Sequence, residues 1–225
     1  MNNKKKLVII GDSSFAQIAF EYFNHDSFYK VVGFAVEEAF RTRDTLFDLP
    51  IVDFNRITSH FPYQEHDAFV AISYLQLNRI RTRLYLSTKD KGYKLANYIS
   101  SKAFCWSNVK LGENVFIFEG NTVQPFVTIG NNVILWSGNH IGHHSNIKDN
   151  CFISSQVVVS GHCEVGRNCF MGVNSTIANN LTIADDCFIG MGAVVAKSTQ
   201  ENNVYKGNPA IHSTTSAKRL FKVQE

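Results

Sequence analysis

The chain has 225 residues, of which 44% are hydrophobic and 18% charged, with a formal net charge of +3. That length fits one large domain or two small ones, and the apolar fraction supports a packed core and excludes disorder. So small a positive charge is no nucleic-acid footprint, and five cysteines without a CxxC pair suggest neither a disulfide framework nor a zinc ribbon.

Lys4, Lys5 and Lys6 precede an apolar run, but residues 7–10 stop at Gly11, too short for a signal-peptide core or a membrane span. A soluble cytoplasmic protein is expected. Residues 7–10 read as a buried strand, and the pair Ser13-Ser14 after Gly11 suits a helix start. Phe15, Ile18, Ala19, Tyr22 and Phe23 then recur at helical spacing. Residues 31–35 read as a second strand, 55–61 as a helical stretch and 68–73 as a third strand. Leu77, Ile80, Arg81 and Leu84 predict a helix over 76–87, and 94–99 read as a last strand. Strands alternating with helices imply a small parallel sheet. Ligands of such a sheet bind beyond the carboxyl ends of its strands, which makes 11–14, 36–38 and 73–78 the candidate loops.

From Leu111 every sixth residue is aliphatic, through Ile117, Val123, Ile129 and onward by way of Met171 to Val195, fifteen positions without an insertion. No helix holds a period of six on one stripe; short strands that turn after each hexad do. The fourth residue after each aliphatic one is small or aliphatic in most repeats. Cys151, Cys163, Cys169 and Cys187 all fall there, as small inward-facing residues rather than nucleophiles or ligands. Cys105 lies one hexad before Leu111 and marks the start of the coil.

Residues 105–210 resemble the left-handed parallel β-helix of the hexapeptide-repeat acyltransferases, in which three hexads make one triangular coil. The run Tyr205-Lys206-Gly207-Asn208-Pro209-Ala210 is similar to the Gly-Asn-Pro-Ala ending that follows their last coil. With an α/β domain in front, the chain resembles the sialic-acid O-acetyltransferase and nucleotide-amino-sugar N-acetyltransferase family. The resemblance implies a Rossmann-like α/β domain at 1–104 that binds a nucleotide-linked sugar, a left-handed β-helix acyltransferase domain at 105–210, and a tail at 211–225. It further implies acetyl-CoA as co-substrate, no metal, and a homotrimer with interfacial active sites, serving bacterial surface-polysaccharide synthesis.

Aligned on the hexads, His143 takes the place of the family's catalytic histidine, a general base toward the attacking amine or hydroxyl. The acid that commonly follows it is replaced by His144. His144 and His162 are eighteen residues apart and should stack on adjacent rungs, with His140 and His162 structural or groove-lining. The resemblance implies Gly161 as the oxyanion N–H donor and Val173 and Met191 as pantetheine-channel residues. In the first domain it points to Gly11, Ser13, Ser14, Glu37, Ser73 and Asn78 as substrate-binding. The family's glycine-rich first loop reads Gly11-Asp12-Ser13-Ser14-Phe15-Ala16 here, and its aspartates after the second strand are replaced by Glu37 and Glu38. Phe126, Trp136, Phe152 and Phe170 are expected on exposed walls that pack between subunits. Three other activities fit parts of the pattern: O-acetylation of a sugar such as sialic acid, a non-enzymatic β-helix scaffold, and a zinc carbonic anhydrase-like enzyme.

Overall fold

The computed structural model describes residues 4–208, so Pro209, Ala210 and the tail at 211–225 lie outside the described residues. The first domain runs β1 (Lys5–Ile10), α1 (Ser14–His25), β2 (Tyr29–Val36), β3 (Thr45–Leu46), β4 (Leu49–Asp53), α2 (Ile57–His60), β5 (His66–Val70) and α3 (Arg79–Asp90). The sheet order is β3-β4-β2-β1-β5, parallel throughout except for the antiparallel pair β3/β4. β1 lies between β2 and β5, and its apolar run from Leu7 to Ile10 is buried on both faces. The β3/β4 hairpin turns through Phe47 and Asp48, both at positive φ (53° and 59°). Its turn lacks the Asn-Gly or Asp-Gly signal of tight hairpins, which is why the sequence does not announce it.

The second domain has three parallel walls of two-residue strands, and the chain visits each wall once per coil. The first strands are Tyr98–Ile99, Phe104–Cys105 and Lys110–Leu111. The coil therefore begins one hexad before Cys105, and a domain division at 104/105 falls inside the first coil. Ile99 keeps the aliphatic phase but forms the open end of the stack, 38% exposed. The segment expected as one strand over 94–99 is shared, Leu95 bridging to Ala68 of β5 and Tyr98 joining the first wall.

The aliphatic stripe and the four cysteines form the interior of the coil. Size alone does not explain the cysteines. Each thiol donates to a carbonyl of the next coil: Cys151 to Gly166 (3.0 Å), Cys163 to Ala178 (3.1 Å) and Cys169 to Ala184 (3.1 Å). Ser145 does the same toward the Ser160 carbonyl at 2.9 Å, so the position selects a small donor. Corner residues take the left-handed conformation, most often as asparagine, such as Asn114, Asn132, Asn150 and Asn168, the residue that bears it best after glycine.

The α/β domain sits on the wall that carries Phe116, Ile134, Phe152 and Phe170, packing Phe15, Phe23 and Phe69 against it. Phe15 meets Phe116 edge-on at 5.6 Å, and Phe118 stacks on Trp136 at 4.4 Å. Of the four aromatics expected between subunits, Phe152 and Phe170 are thus buried within the chain and Trp136 is half-buried there. Only Phe126 is exposed, at a corner. An aromatic at an outward position reads the same in sequence whichever body covers the wall.

At one edge of that wall the joint is polar. The fully buried Arg81 guanidinium donates to the carbonyls of Ser73, Asn132, Asn150 and Cys151 and to the side-chain oxygens of Asn78 and Asn132. Burial pushes its pKa below the usual arginine range, and peptide dipoles on two successive coils and at Ser73 take the place of a counter-ion. Asn78, expected to bind substrate, is fully buried and donates to the Asn168 and Cys169 carbonyls. Three successive left-handed residues, Gln76, Leu77 and Asn78, turn the chain into α3 there, which shortens the helix expected from 76. We predict that Arg81→Leu, which leaves several buried carbonyls short of a donor, costs at least about 3 kcal/mol. This should lower the unfolding temperature measured by calorimetry, and an unchanged temperature would contradict it.

Candidate active site

The three walls meet at three edges, and His143, Gly161 and Asn179 share one of them, a coil apart. This edge joins the two walls the α/β domain does not cover, so it lies opposite the covered wall. The edge residues before Asn179 lack side chains of the usual capping type. At equivalent corners the backbone N–H is capped by a side chain one coil on, as Asn131 N–H by Asp149 Oδ1 at 2.7 Å. Gly161 offers His143 no such side chain, and the His143 N–H donates instead to Gln124 Oε1 at 2.9 Å.

Gly161 has a steric task. A Cβ there would lie 2.8 Å from both Cε1 and Nε2 of His143, so only glycine lets the imidazole lie over the backbone. Its N–H donates to Asn179 Oδ1 at 2.9 Å. The amide expected to hold an oxyanion thus already has a side-chain acceptor one coil on.

His143 Nδ1 lies 3.1 Å from His144 Nδ1. One of the two must carry the proton and the other accept it. With the proton on His143, its Nε2 keeps a free lone pair over Gly161, and His144 fixes ring and tautomer as a carboxylate would. His144 and His162 stack as expected, centroids 4.7 Å apart and 12° between planes, and Phe126 extends the stack at 4.6 Å from His144. All three histidines are exposed, and His140 is half-buried on the adjoining wall.

Val173 and Met191 do not join this edge. They share a different one, where with Phe188, Lys206 and Asn208 they line a groove of about 650 Å³. The groove thus includes the described part of the Gly-Asn-Pro-Ala ending. Both side chains are exposed, Met191 at 76%.

The α/β domain has a separate cleft of about 270 Å³ at the carboxyl ends of β1, β2 and β5. Gly11, Ser13, Glu37 and Ser73 line it as expected, whereas Ser14 and Asn78 do not. Gly11 has φ +112°, a conformation that favours glycine. Ser13 is the N-cap residue of α1, but its hydroxyl makes no capping bond and remains available to a ligand. Glu37 receives both Arg83 nitrogens at 2.7 and 2.8 Å, and these hydrogen bonds hold its carboxyl below the usual range. Arg43 similarly engages Asp12 at 3.0 Å. Phe40 and Leu75 stand at the rim, 69% and 58% exposed. Sequence reasoning misses Arg83, Phe40 and Leu75, since α3 meets the loop after β2 only in the folded domain. Tyr74, between the lining residues Ser73 and Leu75, packs on Phe170 of the β-helix at 4.7 Å.

Residues 108–143 and 144–179 match the bacterial transferase hexapeptide (six repeats) family. Among solved structures, a histidine-to-asparagine variant of perosamine N-acetyltransferase from Caulobacter crescentus, in complex with CoA and GDP-perosamine, is similar at TM-score 0.79 and 25% identity, covering 90% of this chain and 93% of that one. The acetyltransferase domain of PglB from Neisseria gonorrhoeae aligns at TM-score 0.81 and 20% identity, over 92% of this chain and 98% of that one. WeeI from Acinetobacter baumannii aligns at 0.70 and 19% identity, over 92% and 99%. No curated protein sequence matches the chain significantly. The match to the hexapeptide family covers about a third of the chain, all of it in the repeat domain. Over nine-tenths of its length the chain has an α/β domain followed by a left-handed β-helix, a fold similar to that of the perosamine enzyme.

Because Gly161 sets the height of the His143 ring, Gly161→Ala should lower turnover by about 10²-fold through misplacement alone. Acyl-transfer kinetics with an unchanged melting curve would support this; wild-type turnover would contradict it.

Proposed function

We propose that the protein transfers the acetyl group of acetyl-CoA to the amino group of a nucleotide-linked sugar, with His143 as general base. The observation that carries this reading is His143 Nε2, free over Gly161, with Nδ1 fixed by His144. Bound acetyl-CoA supplies an activated thioester carbonyl. As the acceptor nitrogen bonds to that carbonyl carbon, His143 Nε2 takes up the proton the amine sheds. The Nδ1–H to His144 then stabilises the resulting imidazolium. An amine is nucleophilic while neutral and loses its proton late, which suits a base backed by a neutral imidazole. A hydroxyl acceptor demands stronger assistance, and O-acetylation is the weaker reading for that reason.

Nothing favours an acyl-enzyme. Cys151, Cys163, Cys169 and Cys187 are buried, and burial raises the Cys105 and Cys187 thiols above their usual range, which disfavours the thiolate a nucleophile needs.

In the cleft of the α/β domain, the start of α1 and the free Ser13 hydroxyl suit a phosphate. Glu37, kept ionised and oriented by Arg83, offers its remaining lone pairs to N–H groups of a base or sugar. Phe40 and Leu75 offer apolar contact to a flat ring. The exposed Val173 and Met191 suit the pantetheine arm.

This reading requires more than one copy of the chain. The cleft stands over one wall and His143 on the opposite edge, so a substrate held in the cleft is presented to the histidine of a neighbour. A homotrimer with active sites between protomers satisfies that geometry, acting in the cytoplasm. Among the described residues no helix is long and apolar enough to cross a membrane.

Thiol release from acetyl-CoA across a panel of nucleotide-linked amino sugars tests the activity. His143→Ala should reduce turnover by about 10²–10⁴-fold with the assembly intact by light scattering. Undiminished turnover would remove His143 as the base.

A further inference from the structure

The stacked histidines leave an observation that acetyl transfer does not use. His144 and His162 occupy left-handed corners, φ 58° each, a conformation that the other edges of the coil give mostly to asparagine, aspartate or glycine and this edge gives also to Phe126 and Asn180. Asparagine bears the conformation better than imidazole. Yet two successive coils carry it at the same edge, beside a third imidazole from His143. Donor nitrogens of the three all lie within 4.8 Å of one another, and all three side chains are exposed.

We propose that His143, His144 and His162 form a three-imidazole site for a divalent cation of the zinc class. Two ligands of a tetrahedral zinc with bonds of 2.0–2.1 Å stand about 3.3 Å apart. The Nδ1 atoms of His143 and His144 are already 3.1 Å apart. The His162 ring, exposed on the next coil with its donor nitrogen within 4.8 Å of the other two, supplies the third ligand, and water completes the shell. Imidazole donors select zinc, copper or nickel over magnesium and calcium. Binding moves the proton shared by the two Nδ1 atoms onto His143 Nε2, since a neutral imidazole ligated through Nδ1 carries its one proton on the other nitrogen. That is the nitrogen that must be free for proton uptake. The cation is thus a reversible inhibitor. That consequence rests on the proposed role of His143; the binding does not.

The test uses the full-length, metal-stripped protein and His162→Asn, which places the usual corner residue at that position, removes a ring that has no assigned step in acetyl transfer, and leaves the His143–His144 hydrogen bond in place. Calorimetric titration with zinc chloride should show one ion per chain for the wild type. For His162→Asn, affinity should fall by at least about 10-fold, the lower end of what losing a supporting group costs a metal site. Cobalt(II) should give the strong visible bands of a tetrahedral site in the wild type alone. Metal-free turnover should be equal in the two proteins, and zinc should slow only the wild type. Absent stoichiometric uptake, or zinc bound equally by His162→Asn, would overturn the site. Stoichiometric zinc bound through His162 without any slowing of turnover would uphold the site and instead count against His143 as the base.

Discussion

Eighteen residues return the chain to the same place on the next coil, and nearly every feature of the second domain follows from that closure. A side chain at a given phase meets the side chain or backbone of its own phase one coil away, so each choice is made against a fixed neighbour. Thus the interior thiols all find carbonyls. The corner asparagines pass hydrogen bonds along a ladder, Asn114 to Asn132 and Asn132 to Asn150 at 2.9 Å each. Gly161 lies under His143 for the same reason, and His162 stacks on His144. The His143 ring is held in place because the wall beneath it has no freedom to shift register: a slip by one residue would turn the aliphatic stripe outward.

The asparagine ladder also joins the domains. Asn114 Oδ1 accepts from Val70 N–H at the end of β5, and Arg81 binds the next rungs. An arginine without a carboxylate is costly to bury, and its surroundings repay that only by giving each donor a well-placed oxygen. The corner carbonyls supply such oxygens in the arrangement that coil closure repeats. Together with the aromatic wall, this contact fixes where the cleft stands relative to the histidine edge.

The sequence made the β-helix legible because a period of six survives without interruption from Leu111 to Val195. It also made legible the inward cysteines, the stacking of His144 on His162, and four of the six residues expected at the cleft. What it hid were contacts between distant segments. Asn78 and Ser73 look alike as loop residues, yet one is locked under the β-helix and the other faces the cleft. Phe152 and Phe170 look like free wall aromatics until the α/β domain covers them. Gly161 satisfies the family pattern by position, but Asn179, a coil away, takes its N–H. Arg83 gives no sign of reaching Glu37, 46 residues earlier, because only the fold joins α3 to the loop after β2.

The central claim is that cleft and base come from different copies of the chain, and mixing subunits tests it most directly. His143→Ala removes the base, while Ser13→Glu sets a negative charge against phosphate at the start of α1, and each variant alone should be nearly inactive. Co-assembled in equal amounts, they should regain roughly a quarter of wild-type turnover, the chance that both contributors to a shared site are intact. Mixed assemblies no more active than the separate variants would contradict the account and return both functions to a single chain.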